Sequence, residues 1–185
     1  AISETNFQQQ IEHLLRLHEP LDPQHLLDCV RNGSELPANA VLFTFDDGPV
    51  DHWERVQPVL ERHGIKAIFA PIGDPYVNGR VPFVQKNQYV RGRLGQDRIP
   101  DVFLERAEAI APRAGVRQLI EEAPIPEYTA GTQKYLKYGH ATIQTIPWSI
   151  CVRVMDSLFS ELVGEEEEFI AKEYLTCEHI VDLYK

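Results

Sequence analysis

The sequence predicts an α/β fold in which parallel strands alternate with helices. Residues 41–45 and 65–72 are apolar runs typical of buried strands, and residues 50–63 between them carry apolar side chains at helical spacing. A strand, a helix and a second strand within about thirty residues have the size of a right-handed βαβ unit. With 185 residues, the chain is shorter than a complete (β/α) barrel, which typically takes about 200 residues or more.

The first half of the chain is organised around this unit. Residues 1–40 are predicted to be a helical lead-in, because Phe7, Ile11 and Leu14 form an apolar stripe at helical spacing. Residues 41–72 form the strand–helix–strand unit, and Gly64 stands where a helix C-terminal cap belongs. Residues 73–126 are predicted to be loop-rich, since 73–98 is rich in glycine, proline, asparagine and arginine.

The second half, residues 127–185, is predicted to be helical, and the whole of residues 1–185 is expected to form a single domain. The clearest helix is 150–163, whose apolar positions follow a 3.6-residue period and which ends before Gly164. A proline-marked connection is expected over 112–126. Further helices are predicted over 101–110 and 129–138, and a short one from Glu165.

Two adjacent aspartates, Asp46 and Asp47, directly follow the first strand of the unit. Burying a carboxylate costs several kcal/mol unless it is paired or bound to a cation. The carboxyl ends of parallel strands are where ligands and catalytic groups collect in α/β folds. The pattern therefore favours a general base or a metal ligand. The alternative is that Asp-Asp-Gly-Pro is a turn that simply ends the strand.

The string Thr44-Phe45-Asp46-Asp47-Gly48-Pro49, with the later Gly64-Ile65-Lys66-Ala67-Ile68-Phe69, resembles the first motif of the polysaccharide deacetylases, the NodB-homology group. The resemblance implies a distorted (β/α) barrel, incomplete in this chain, with a helical insertion in the C-terminal half. It also implies a metal-dependent hydrolase that removes acetyl groups from N-acetylated sugars in a polysaccharide or glycan precursor. Asp46 would then be the general base, and Asp47 would bind a divalent ion, expected to be zinc.

The chain departs from the family pattern in its histidines. The family's His-(Ser/Thr)-x-x-His-Pro motif, which would supply two metal ligands, is absent, and the later motif that would supply a histidine as general acid is not found either. Among seven histidines, His52 comes first after the aspartates, although a surface position in the first helical turn is favoured for it. His140 is a further candidate. The 185 residues are therefore expected to be inactive on their own. The alternative function is an inert, deacetylase-like glycan-binding or assembly protein.

Composition and charge restrict the partners. The formal net charge of −10 argues against nucleic acid and anionic membrane surfaces, and no apolar run has the length of a membrane span. A carbohydrate is the expected partner, and an oligomer is left open. Candidate glycan contacts, with a solvated loop as the alternative, are Tyr76, Arg80, Arg91, Arg93 and Arg98.

The spacing of the cysteines indicates their redox state. Cys29, Cys151 and Cys177 form no Cys-x-x-Cys pair, which favours reduced thiols in a cytoplasmic protein.

A phosphatase of the haloacid dehalogenase type would need an acidic residue in place of Phe45 and a threonine in place of Pro49. Phe45 and Pro49 therefore exclude this class of phosphatase.

Overall fold

A computed structural model describes residues 2–125 and 131–184. The chain divides into two compact units, one formed by Ala1–Val77 with Ile170–Lys185 and the other by Asn78–Phe169. The single domain expected over residues 1–185 stays a prediction, since two compact units can belong to one domain. Within the described residues, no helix combines the length and the apolar character needed to cross a membrane.

The first unit contains the predicted strand–helix–strand arrangement. Strand β3 (Thr44–Asp47) pairs in parallel with β4 (Ile68–Pro71), with Phe45 opposite Phe69. A π-helix (His52–Val56) and helix α3 (Gln57–Arg62) connect them. Gly64 has φ +63°, and the Ile65 N–H donates to the Leu60 carbonyl at 3.0 Å. This arrangement ends α3 and confirms the C-terminal cap predicted at Gly64.

A shorter parallel pair precedes this one, formed by β1 (Glu19–Pro20) and β2 (Ala40–Val41). The helices of the lead-in are α1 (Glu4–Leu15), capped by Ser3, and α2 (Pro23–Asn32), capped by Asp22. The four strands of the described residues thus form two separate pairs. This is a mixed helix–strand architecture, and the described residues do not close a barrel.

The core of the first unit lies on one face of β3 and β4. Phe45 and Phe69 stack with ring centroids 5.2 Å apart and pack against a buried cluster contributed by α1, α3 and the strand ends. Side chains alternate between the two faces of a strand, and the opposite face carries exposed residues, among them Asp46. The buried members of the cluster are Ile11, Phe43, Val59, Leu60 and Ile65.

The second unit is helical and centred on α9 (Trp148–Leu162), which confirms the predicted helix over 150–163. Its side chains Val154, Met155, Leu158 and Phe159 are fully or almost fully buried. The helices packed around it are α5 (Phe83–Leu94), α6 (Ile99–Ile110) and α8 (Gln133–Gln144), and α7 (Val116–Glu121) packs on α6 and α8.

Two loop predictions were wrong. Helices α4 (Asp74–Val77) and α5 lie within residues 73–98, and α7 lies within the proline-marked connection 112–126. Helix α5 has a weak apolar pattern because one of its two buried residues is Lys86. Packing against α9 stabilises α5, although the sequence pattern of α5 gives little indication of a helix. Of the predicted helix 129–138, residues 129 and 130 lie outside the described residues, and residues 133–138 are helical in α8.

Lys86 is the buried member of an ion network in the second unit. Its side chain is 2% exposed, and its Nζ contacts Asp156 Oδ1 at 2.5 Å and Glu166 Oε1 at 2.6 Å. The Arg80 guanidinium donates to Asp156 Oδ2 at 2.7 Å, and the backbone N–H of Val81 donates to Glu166 Oε2 at 2.6 Å. The network thereby joins α5, α9 and the first turn of α10 (Glu166–Glu173). The final helix, α11 (Cys177–Leu183), begins with a capping box at Thr176.

Candidate functional site

The candidate site is the turn at the carboxyl end of β3. Asp46 and Asp47 are the last residues of the strand, and both are exposed. Asp47 has φ +71° and Gly48 has φ +74°, a left-handed conformation that aspartate tolerates better than most residues. The predicted position of both carboxylates at the end of a parallel strand is confirmed. The argument from carboxylate burial was wrong, because both side chains reach solvent.

The turn is held in place by a segment that follows the second unit. Pro49 and Tyr174 form an antiparallel bridge. The Leu175 N–H donates to the Gly48 carbonyl at 2.9 Å, and the Val50 N–H donates to the Glu173 carbonyl at 2.9 Å. These bonds fix the backbone on which the aspartates stand.

Gly48 is required at this turn by contact as well as by conformation. A Cβ at this position would lie 2.7 Å from the Cβ of Pro71 and 3.2 Å from the hydroxyl oxygen of Tyr76. Real Cβ atoms do not approach a neighbour as closely as 2.7 Å. The Asp-Asp-Gly order therefore follows from how closely the turn lies against the end of β4.

His52 is buried, and its expected surface position was wrong. The side chain is 8% exposed, and its ring lies 5.5 Å from Phe45 and 5.6 Å from Phe69, measured between centroids. Burial lowers the pKa of His52, and the charges of Asp51, Asp46 and Asp47 oppose that effect. A helical stripe that includes His52 with Val59 and Leu60, seven and eight positions on, would have placed it on the buried face.

Tyr76, predicted as a possible glycan contact, lies on α4 of the first unit. Its hydroxyl is buried and has no hydrogen-bond partner among the described residues. Burial raises the pKa of Tyr76, and nearby Cys177 adds to the shift. The hydroxyl therefore remains protonated at neutral pH and is available as a donor beside Gly48.

The arginines of residues 73–98 lie in the second unit. Arg80 belongs to the Lys86 network, and Arg91 donates to the hydroxyl of Tyr135 at 2.7 Å. Arg93 and Arg98 are exposed. His140, the other histidine candidate, is half-buried in α8. The contacts of Arg80 and Arg91 within the second unit indicate a structural role for these two candidates.

A metal site is not completed by the described residues. Nowhere in 2–125 or 131–184 do three or more histidine, cysteine, aspartate or glutamate side chains come together in a group that could hold a metal ion. Protein zinc sites use three or four such ligands. Asp46 and Asp47 supply oxygen donors, but the described residues do not fit a zinc site by themselves.

The site lies within a segment that matches a known family. Residues 33–108 match the family model for polysaccharide deacetylase, which confirms the resemblance seen in the Asp46–Asp47 motif. This segment runs from the end of α2 into α6 and includes β3, β4 and the turn between Asp47 and Val50.

Two curated relatives support the same class. The chain is 36% identical over 56 residues to the poly-beta-1,6-N-acetyl-D-glucosamine N-deacetylase of Escherichia coli K12, and to the protein of the same name from Escherichia coli O157:H7. The match covers 30% of this chain and 8% of each relative. No solved structure matches the chain significantly.

Proposed function

We propose that this protein is a metal-dependent carbohydrate deacetylase that hydrolyses the acetamide of N-acetylated sugars in a polysaccharide or glycan precursor. The observation that carries this proposal is the exposed Asp46–Asp47 pair at the carboxyl end of a parallel strand, inside a segment that matches the polysaccharide deacetylase family. The names of the relatives support an N-acetylglucosamine polymer as the substrate class. The wider fold proposed is a distorted (β/α) barrel, of which β3 and β4 are neighbouring strands.

Asp46 is the proposed general base. Its carboxylate lies on the face of β3 that the core does not cover, so water and substrate can reach it. A carboxylate that solvent reaches can accept a proton from a water that attacks the acetamide carbon. Such proton transfer typically accelerates a reaction by about 10² to 10⁴.

Asp47 is the proposed ligand of a divalent ion, expected to be zinc. The positive φ of this residue turns the backbone at the strand end, and its neighbour Gly48 fixes the turn against Pro71. Asp47 would hold the ion through its carboxylate, and the chemistry supplied at this position would be polarisation of the acetamide carbonyl. The two histidines that would complete the coordination are not found in the described residues, so weak or absent hydrolysis is expected from this chain by itself.

The proposal is tested with Asp46→Asn, Asp47→Asn and the control Asp51→Asn, whose side chain is exposed and paired with Arg55. Zinc per chain is measured by elemental analysis, and acetate release is measured with a β-1,6-linked N-acetylglucosamine oligomer. Because the described residues do not complete a zinc site, we expect the unmodified chain to hold less than one equivalent of zinc, Asp47→Asn to hold less still, and the control to match the unmodified chain. Any acetate release should fall by at least about 10²-fold in Asp46→Asn.

The inert alternative makes the opposite prediction. The lack of a third metal-binding donor among the described residues favours it as the second candidate. A non-catalytic glycan-binding protein would hold no zinc, and its binding of the oligomer would be the same in Asp47→Asn and in the unmodified chain.

A further inference from the structure

His179 forms half of the capping box at the start of α11. The His179 N–H donates to the Thr176 hydroxyl at 3.1 Å, and the Thr176 N–H donates to Nδ1 of the His179 imidazole at 3.3 Å. Glutamate or glutamine ordinarily supplies the second acceptor of a capping box. A glutamine oxygen accepts at any pH, whereas Nδ1 accepts only while the imidazole is neutral. The cap of α11 therefore depends on the protonation state of this histidine.

The same imidazole contacts the helix that follows the Asp46–Asp47 turn. Its ring is stacked on the indole of Trp53, with the ring planes 10° apart and the centroids 5.3 Å apart. Trp53 belongs to the π-helix that comes directly after the turn. His179 is thus held from two sides, by the backbone of Thr176 and by the ring of Trp53.

The residues just before Thr176 hold the aspartate turn. Residues 173–175, which we call the clamp, bond to the turn through the Leu175 N–H, which donates to the Gly48 carbonyl, and through the Glu173 carbonyl, which accepts from the Val50 N–H, both at 2.9 Å. Leu175 directly precedes the cap residue, so a change at the cap is transmitted to the clamp through one peptide unit. The turn, the π-helix, the His179 imidazole and the clamp therefore form a closed ring of contacts.

Protonation of His179 has two effects that weaken the cap and one that opposes them. Nδ1 gains a proton and becomes a donor that faces another donor, the Thr176 N–H. The positive charge also lies in the first turn of a helix, where the helix dipole disfavours it. The stack on Trp53 gains a cation–π attraction, which keeps the ring in place. The imidazole therefore stays on Trp53 while the capping bond is lost.

Other ionisable side chains lie on the elements that meet at this stack. On α11, the clamp and the π-helix with its preceding residue, they are Cys177, Glu178, Asp182, Glu173, Asp51, His52, Glu54 and Arg55. Arg55 pairs with Asp51 at 3.1 Å, and Glu173 pairs with Lys172 at 3.2 Å. Among these side-chain types, imidazole is the one that normally changes charge between pH 5 and 8. An experiment on His179 must therefore separate its titration from that of His52.

We propose that His179 is a pH-dependent positioning residue of the Asp46–Asp47 turn. While its imidazole is neutral, it caps α11 and holds the clamp against Gly48 and Val50, and its protonation loosens the clamp. Proton uptake thereby weakens the support of the backbone on which the proposed general base and metal ligand stand. The consequence for hydrolysis rests on the proposed function, whereas the loosening of the clamp does not.

Amide hydrogen exchange, measured by nuclear magnetic resonance at pH 7.5 and pH 5.5, tests the inference without sugar or metal. Each exchange rate is divided by the rate of an unstructured peptide at the same pH. We expect the protection of the Leu175 and Val50 amides to fall about fivefold at the lower pH, the loss of one helix cap. The control is the Leu21 amide, which donates to the Val41 carbonyl at 2.8 Å in the β1–β2 pair and should keep its protection. No fall at Leu175, or an equal fall at Leu21, would overturn the inference.

Two variants identify the imidazole as the cause. His179→Gln keeps a capping-box acceptor that does not titrate, so the protection of Leu175 should be the same at both pH values. His179→Phe keeps an aromatic ring beside Trp53 without an acceptor, so that protection should be low at both pH values. A fall that persists in His179→Gln would assign the effect to another group, such as His52, and would refute the role of His179. Because no sugar enters this experiment, a lack of acetate release counts against the proposed function alone.

Discussion

Replacing Lys86 with methionine tests the ion network of the second unit. Methionine keeps an unbranched apolar stem in the space beside Phe159, whose ring centroid is 5.8 Å from the lysine Nζ, and removes the charge. The substitution leaves two carboxylates without their buried cation, and the side chains of Asp156 and Glu166 are only 32% and 28% exposed. Breaking a buried pair by removing one partner typically costs about 3–5 kcal/mol.

The cost at Lys86 should fall near the lower end of that range. Asp156 keeps its bond from Arg80, and Glu166 keeps its bond from the Val81 N–H, so neither carboxylate loses every partner. We therefore expect the free energy of unfolding of the second unit to fall by about 3 kcal/mol. The matched control is Lys134→Met, which breaks the exposed ion pair with Asp101 and should cost about 1 kcal/mol or less.

The assay is urea unfolding followed by the fluorescence of Trp148. This residue lies on α9, with its ring 4.6 Å from that of Phe83, so its emission reports on the second unit. A Trp53→Phe background removes the signal of the first unit. If Lys86→Met and Lys134→Met shift the unfolding free energy equally, the burial of Lys86 does not make its ion pairs stronger than surface pairs, and the reasoning fails.

Three further predictions concern the turn and the buried side chains. Gly48→Ala should cost about 2 kcal/mol more in urea unfolding than Gly33→Ala, because both have positive φ but a Cβ at Gly33 has nothing within 4 Å; equal costs would contradict the close contact with Pro71. Tyr76→Phe removes a buried hydroxyl that has no partner among the described residues, so thermal unfolding should show unchanged or higher stability, by up to about 1 kcal/mol; a clear loss would reveal a hydrogen bond. Burial raises the pKa of Cys151 to about 11, so its contribution to stability is complete below the unfolded pKa of about 8.5 and is lost as pH rises toward 11. The stability difference between the unmodified chain and Cys151→Ala should therefore shrink over that interval, and a difference that stays constant from pH 8 to pH 11 would rule out the shift.

The strand–helix–strand unit could be predicted because its signals are local. The apolar runs of β3 and β4 and the cap at Gly64 depend on nearby residues. Helix α9 could be predicted for the same reason, since its buried side chains repeat at helical spacing. In α5 the buried Lys86 replaces the apolar residue that the pattern requires, and its partners Asp156 and Glu166 lie far along the sequence. A single sequence does not show such long-range pairing.

The candidate site could be predicted only in part. The position of Asp46 and Asp47 followed from the strand pattern, but their exposure did not, since it depends on what covers the open face of β3. The burial of His52 was not predicted, because a surface position in the first helical turn was favoured for it. That choice placed the imidazole on the wrong face, and the π-helix that changes the local periodicity leaves no mark in composition.

The bonds that close the Asp46–Asp47 turn have a consequence for biosynthesis. The partners of Gly48 and Val50 are residues 173–175, which leave the ribosome long after β3 and β4 have been made. A nascent chain that ends before Glu173 can form the two-stranded pair but leaves the Gly48 carbonyl and the Val50 N–H without their partners in residues 173–175. The site is therefore assembled late in translation. We expect ribosome-stalled chains lacking residues 173–185 to be cut by protease near Gly48, and longer chains to be protected there.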